Sequence, residues 1–295
     1  MSQTLLVTGA AGHLGQRVIA HLIGTQNIPA ARIVVTTRDP AKLASLAAKG
    51  IEVRKADFDD SASLAAAFAG VDRMLLISTD ALDRPGRRLA QHQAAIAAAK
   101  KAGVKHVVYT SMPNPDDSLV TFAPDHLGTE QALAASGLGW TILRNSWYME
   151  NLLMILPGAL AGGKWLTASG NGKIAHVTRD DCARAAAAAL ASDSAVNARY
   201  DITGPQKLTT AEIAALAGEV LAKTIEVVQI TDEQLGENLA AHGIPAAYVP
   251  TYVSFDANTR AGKFDLLSNA VEKLTGKPPQ TLRDFLIANK AALNQ

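Results

Sequence analysis

The first half of the chain alternates between short apolar, β-branched runs and longer segments whose apolar side chains return every three or four positions. Residues 4–8, 32–37, 51–56, 73–78, 104–110 and 140–144 read as strands. Residues 16–23, 40–49, 61–69 and 88–102 read as helices between them, with Pro40 at a helix start, where its missing N–H costs nothing. The strands are almost continuously apolar, which implies burial on both faces. Strands of that kind separated by helices predict a parallel, doubly wound α/β sheet.

Past residue 150 the pattern changes. Residues 152–160 are apolar, and Gly162-Gly163 and Gly170-Asn171-Gly172 mark turns. Thr178 with Asp181, Thr209 with Glu212, and Thr281 with Asp284 have the spacing of helix N-terminal boxes. The last opens an amphipathic helix carrying Leu282, Phe285, Leu286 and Leu293, and residues 225–230 read as a short strand. The chain therefore divides into a sheet domain over 1–150 and a smaller α+β domain over 151–295. Residues 173–177 are expected to send a strand back to the first domain, within a returning segment 173–203. Alanine is dense at 65–67, 94–99 and 185–189, with charges kept to the flanks, which suits close packing on a sheet.

Composition narrows the class. The 295 residues, 48% hydrophobic, suffice for a large core. A net charge of +1 with no basic run offers nothing to nucleic acid or a membrane surface. The single cysteine, Cys182, allows no intrachain disulfide and no cysteine-rich zinc site, and no metal site is expected. No apolar stretch approaches a membrane span and no signal peptide opens the chain, so a reducing, cytoplasmic setting is the expectation.

The chemistry begins at the first strand-to-helix turn, Thr8-Gly9-Ala10-Ala11-Gly12-His13-Leu14-Gly15. Glycines at three-residue spacing let the backbone turn sharply and approach a pyrophosphate, and the following helix offers free N–H groups and a positive dipole end. The spacing GxxGxxG differs from the GxGxxG of the standard dinucleotide loop. The second strand ends in Thr37-Arg38-Asp39. Arg38 falls where a ribose 2′-phosphate would lie and Asp39 one place late, so NADP is favoured over NAD. Asp57-Phe58 after the third strand is placed beside the adenine, though Asp59-Asp60-Ser61 also reads as a helix start. Ile77-Ser78-Thr79 closes the fourth strand at the ligand crevice.

Beyond the fifth strand the Tyr-x-x-x-Lys pair of short-chain dehydrogenases is missing. His126 and Glu130 occupy that spacing, and they read as a surface i,i+4 pair ahead of a catalytic acid at His126. Alcohol–ketone chemistry is thereby disfavoured. The segment Arg144-Asn145-Ser146-Trp147-Tyr148-Met149-Glu150-Asn151 leaves the sixth strand at the same sheet edge. It joins two aromatics and two amides in a chain only 5% aromatic, a lining suited to a flat substrate or to a buried hinge between the domains. Asn145 and Tyr148 are the candidate catalytic residues.

Taken together, the glycine turn, Arg38-Asp39-Pro40-Ala41-Lys42, Lys55-Ala56-Asp57-Phe58, Leu75-Leu76-Ile77-Ser78, Tyr109-Thr110-Ser111, residues 143–151 and Gly170-Asn171-Gly172-Lys173-Ile174 resemble the NmrA-like atypical short-chain dehydrogenases. Within that family the similarity leans towards the flavin-independent bacterial quinone reductases, with triphenylmethane and azo-dye reductases as relatives. The resemblance implies a Rossmann-like NADP domain with a smaller substrate domain, and hydride transfer from NADPH to a quinone or similar conjugated acceptor. It implies a cofactor held by the glycine turn, Arg38, Ile77, Ser78, Thr79, Trp147, Tyr148, Met149, Glu150 and Asn151. The alternative within the family is an NADP-binding redox sensor without catalysis. An epimerase or dehydratase would need the missing Tyr/Lys pair. Pairing into a homodimer through the sheet's flanking helices is a further expectation.

Overall fold

The computed structural model describes residues 3–294. In chain order the strands are β1 (Leu5–Val7), β2 (Ile33–Thr37), β3 (Glu52–Lys55), β4 (Arg73–Leu76), β5 (His106–Ser111), β6 (Gly139–Asn145), β7 (Lys164–Thr167), β8 (Lys173–Ile174), β9 (Ala198–Ile202), β10 (Leu208–Thr209) and β11 (Glu226–Gln229). The helices are α1 (His13–Gly24), α2 (Ala44–Ala47), α3 (Ser61–Phe68), α4 (Arg87–Lys101), α5 (Ala123–Ala135), α6 (Leu152–Gly162), α7 (Arg179–Ala191), α8 (Thr210–Leu221), α9 (Asp232–Ala241), α10 (Val249–Arg260), α11 (Ala270–Thr275), α12 (Leu282–Ala288) and α13 (Lys290–Leu293).

Seven strands make one parallel sheet in the order β3-β2-β1-β4-β5-β6-β9. The chain winds outward through β3 and then returns to lay β4 on the other side of β1. That reversal opens a crevice at the carboxyl ends of β1 and β4. On one face, α1 and α7 bury Val18, Ile19 and Leu22 against the buried alanines 183, 185, 186, 187 and 189. Small side chains let the two helices and the sheet approach closely. Arg73, buried at the start of β4, donates to the carbonyls of Ala189, Leu190 and Ser194 and so closes the C-terminal end of α7. The opposite face is covered by α3 and α4 over Leu6, Val34, Met74, Leu76 and Val107. A separate core joins α6, β7, α8 and α12 through Leu156, Trp165, Ile213, Phe285 and Leu286.

Two expectations are corrected. Residues 40–49 are not one helix: Pro40–Leu43 is a 3₁₀ turn, followed by the single turn α2. Leu43 is the only buried side chain of the pair, too little apolar face to hold a continuous helix. Residues 173–177 do not add a strand to the main sheet. There β8 pairs antiparallel with β10, and the seventh strand is β9, beside β6. Val177 instead makes an isolated bridge to Tyr148. Thr209 and Glu212 form the reciprocal N-terminal box expected of them, whereas Thr178 and Thr281 cap only through their own hydroxyls. A second full box, Thr231 with Gln234, opens α9. Among the described residues no helix is long and apolar enough to cross a membrane.

Candidate functional site

Gly9 turns the chain out of β1 with φ at +60°, a conformation that side chains rarely adopt. At Gly15 a Cβ would run into the Gly9 carbonyl and the Ala10 Cα, so glycine there lets α1 pack directly on its own loop. Gly12, at the N-cap of α1, contributes no capping side chain, and the first turn holds no acidic residue. The positive end of the helix is therefore left for an external anion. Thr8 is committed within the fold: its hydroxyl donates to the Leu75 carbonyl at 3.1 Å and accepts from the Ile77 N–H at 2.9 Å. Ala10, Leu14 and Gly15 are buried, while Gly9, Gly12 and His13 are exposed.

A cavity of about 480 Å³ opens at the carboxyl edge of the sheet. Gly9, Ala11, Gly12, Arg38, Asp57, Phe58, Ile77, Ser78 and Thr79 all line it. Exposed Arg38 makes no ion pair and no side-chain hydrogen bond among the described residues. Its neighbour Asp39 turns back to accept from the Ala41 N–H at 3.1 Å, capping the 3₁₀ turn. The acidic group is thus occupied and the cation is free, an arrangement that fits a 2′-phosphate better than a ribose 2′-hydroxyl. Asp57 accepts from the Asp59 N–H, and it is Asp60 that caps α3.

Sequence reasoning missed part of the lining: Thr36, Thr37, Asp80, Ala81, Asp83, Arg87 and Gln91. Arg87 and Gln91 are one turn apart on α4, and both bond Asp59. They hold its carboxyl below the usual range and brace the far wall. The signal was their i,i+4 spacing, legible only once Asp59 was known to face them.

A buried polar chain supports the Ile77–Thr79 loop from behind. The Ser78 N–H donates to Thr110 at 2.9 Å and the Thr79 N–H to His92 Nε2 at 3.0 Å. His92 Nε2 is therefore an acceptor, and Nδ1 carries the proton towards Thr129 Oγ1 at 2.9 Å. Burial holds His92 neutral, its pKa pushed down to about 3. Deeper still, the Tyr109 hydroxyl and His126 Nδ1 share a hydrogen bond of 2.8 Å, and burial disfavours the charged form of both.

The surface pair expected of His126 and Glu130 does not exist. Both are 3% exposed, because that side of α5 packs on β5 and β6. Glu130 accepts from Ser111 Oγ at 2.7 Å and is gripped by both arms of Arg144 at 2.9 and 2.8 Å. Ser111, the last residue of β5, is thereby tied to a carboxylate rather than left to a substrate oxygen.

The segment after β6 divides by role. Asn145 is buried and its Oδ1 has no hydrogen-bond partner. Burial lifts the Tyr148 hydroxyl above its ordinary pKa, Cys182 adds to the effect, and Asn145 pulls the other way. Arg179 stacks on the Tyr148 ring at 4.8 Å. Trp147 joins Phe122, Phe255 and Phe264 in an aromatic cluster between the sheet edge and α10. Met149 is 1% exposed in the core of the smaller half. Both Glu150 carboxylate oxygens accept from the Arg179 N–H at 3.0 Å, and Asn151 accepts from the Arg179 guanidinium at 2.9 Å. None of residues 145–151 lines the main cavity; Glu150 and Asn151 hold the start of α7.

Comparison with known proteins places this arrangement. The model of the NmrA-like family matches residues 1–286. Quinone oxidoreductase 2 of Escherichia coli (strain K12) is 38% identical over 281 residues, covering 95% of this chain and 96% of that one. An NADPH-dependent quinone oxidoreductase from E. coli, crystallised with NADPH, superposes with a TM-score of 0.91 over 96% of this chain and 98% of its own, at 37% identity. NAD(P)H azoreductase of Xenophilus azovorans is 31% identical over 293 residues, 98% of each chain. Triphenylmethane reductase of Citrobacter sp., complexed with NADP(H), gives a TM-score of 0.91 at 31% identity, covering 97% of this chain and 100% of its own.

Proposed function

The chain belongs to the NmrA-like family, and from that premise we propose that it is an NADPH-dependent oxidoreductase that reduces quinones or similar conjugated, electron-poor acceptors without flavin. The observation that carries the reading is the free Arg38 on the same cavity as the uncapped glycine turn, with Asp39 turned away. NADPH, when bound, supplies a hydride. Arg38 would hold the 2′-phosphate, the N–H groups opening α1 the pyrophosphate, and Asp57 and Phe58 the adenine end. The Ile77–Thr79 loop, kept rigid by Thr110 and His92, would fix the ribose between them. Asn145 and Tyr148 are assigned the orientation of the reacting groups: the unpaired Asn145 oxygen as acceptor, and the neutral Tyr148 hydroxyl as hydrogen-bond donor.

No side chain need be a strong acid. Ser111 is occupied by Glu130, and Tyr148 has no lysine to lower its pKa. A quinone accepts hydride without prior protonation and takes its proton from water, so the residues act through proximity and orientation. Loss of NADPH absorbance on adding a benzoquinone tests this. Turnover is expected, faster with NADPH than NADH, and reduced by Asn145→Ala and Tyr148→Phe. Tight NADP⁺ binding without turnover of a quinone, an azo dye or a triphenylmethane dye would overturn it in favour of a redox sensor.

A further inference from the structure

Arg88 lies in the first turn of α4 and is not among the residues that line the main cavity. It is 7% exposed, its Nε is shut away from solvent without an acceptor, and its side chain makes no hydrogen bond among the described residues. Its guanidinium lies 5.1 Å above the Phe122 ring, next to the aromatic cluster of Trp147. The Asp125 and Asp80 carboxylates favour its charged form, but neither pairs with it. The first turn of α4 follows the loop after β4, and Phe122 stands at the start of α5, so Arg88 lies at the carboxyl edge of the sheet.

A buried guanidinium without an anion is a costly feature, since desolvation is not offset by pairing. Burial accordingly disfavours its charged form. Packing alone is an insufficient reason for it: a leucine or methionine would fill the space over Phe122 without that penalty. The geometry instead sets a planar guanidinium against an aromatic wall in the first turn of α4, at the carboxyl edge of the sheet.

We propose that Arg88 binds the acceptor oxygen on which negative charge appears during reduction. This rests on the reductase reading above. A para-quinone gains the hydride of the reduced nicotinamide, breaking that ring's C–H bond and forming an O–H bond at one carbonyl. The quinone becomes a hydroquinone monoanion as NADPH is oxidised to NADP⁺, and a proton from water then neutralises the second oxygen. The Arg88 fork meets that second oxygen, so its charge favours the anion over the neutral quinone. A cationic triphenylmethane dye becomes neutral on taking hydride and develops no anion, so Arg88 gives it no help.

The test compares the full-length wild type with Arg88→Gln and Arg88→Lys. Binding of a hydroxynaphthoquinone that is ionised at neutral pH, followed by quenching of tryptophan fluorescence, is expected to weaken about 10- to 100-fold in Arg88→Gln. Arg88→Lys, which keeps charge but loses the fork, should fall between, and it carries the comparison alone if the glutamine variant does not fold. With NADPH present, kcat/KM for benzoquinone should fall by a similar factor. The rate with a cationic triphenylmethane dye should hold or rise, and the Kd for NADPH should stay the same. Equal losses for both acceptors, weaker NADPH binding, or unaltered affinity for the ionised naphthoquinone would each overturn the assignment. If the wild type reduces no acceptor, the reductase reading fails, while the binding comparison still decides the role of Arg88.

Discussion

Arg38 and Asp39 are adjacent, yet only one of them is free to meet a ligand. The reason is local: Asp39 caps the 3₁₀ turn that begins at Pro40, and Arg38 is left pointing along the cavity wall. Arg38→Ala should weaken NADPH binding about 10- to 100-fold, the scale of a lost charge-assisted hydrogen bond to phosphate, and change NADH binding little. Titration of both nucleotides checks this; equal losses would remove Arg38 from the 2′-phosphate. The arginine was legible from its place after the second strand. Its freedom was not, because a sequence does not say which of two neighbouring side chains turns inward. Glu130 makes the same point in reverse. Its spacing from His126 suggested a solvated pair, and the fold buries it between Ser111 and Arg144.

At the scale of elements, β1, the glycine turn and α1 act as one unit. Their order could be read directly, because strand, turn and helix have distinct periodicities and glycine marks the turn. The close approach of α1 to its own loop makes Gly15 the least replaceable of the three glycines. Gly15→Ala places a methyl against the Gly9 carbonyl and the Ala10 Cα, both backbone and unable to yield. A loss of about 1–3 kcal/mol in urea unfolding is expected, the usual cost of overpacking. Weaker NADPH binding should accompany it, and unchanged stability would mean the loop relaxes. The segment after β6 was harder to read. Its aromatic and amide residues suggested a ligand lining. In the fold Glu150 and Asn151 hold the start of α7, and Val177 bonds Trp147 and Met149 through the backbone. Such contacts join positions some thirty residues apart and have no local signature.

For the molecule as a whole, the buried histidines set the response to acid. His92, His106 and His176 have pKa values depressed by burial to about 3, 4 and 4 from an ordinary 6.5, and His126 is also pushed down. Above the ordinary value they are neutral in folded and unfolded chains alike, and their contribution to stability is complete. As pH falls below it, the unfolded chain takes up protons that the fold refuses. Stability then falls by up to about 1.4 kcal/mol per pH unit for each such histidine, until the depressed folded values are reached. Urea midpoints between roughly pH 6.5 and pH 5, above most carboxylate titration, should drop steeply; a flat profile there would mean these groups are hydrated.

The sequence by itself determined the alternating architecture, the dinucleotide turn, the preference for NADP and the absence of a Tyr/Lys acid. Each depends on residue type and short-range spacing, and local physics suffices for that. Only the tertiary structure decided that β9 rather than residues 173–177 completes the sheet, that Glu130 is spent on Arg144, and that Asp59 is braced from α4. It alone exposed Arg88 as a buried cation without a partner. Burial and pairing are properties of the packed chain, and the free energy of a charge depends on what surrounds it in space, not on its neighbours in sequence.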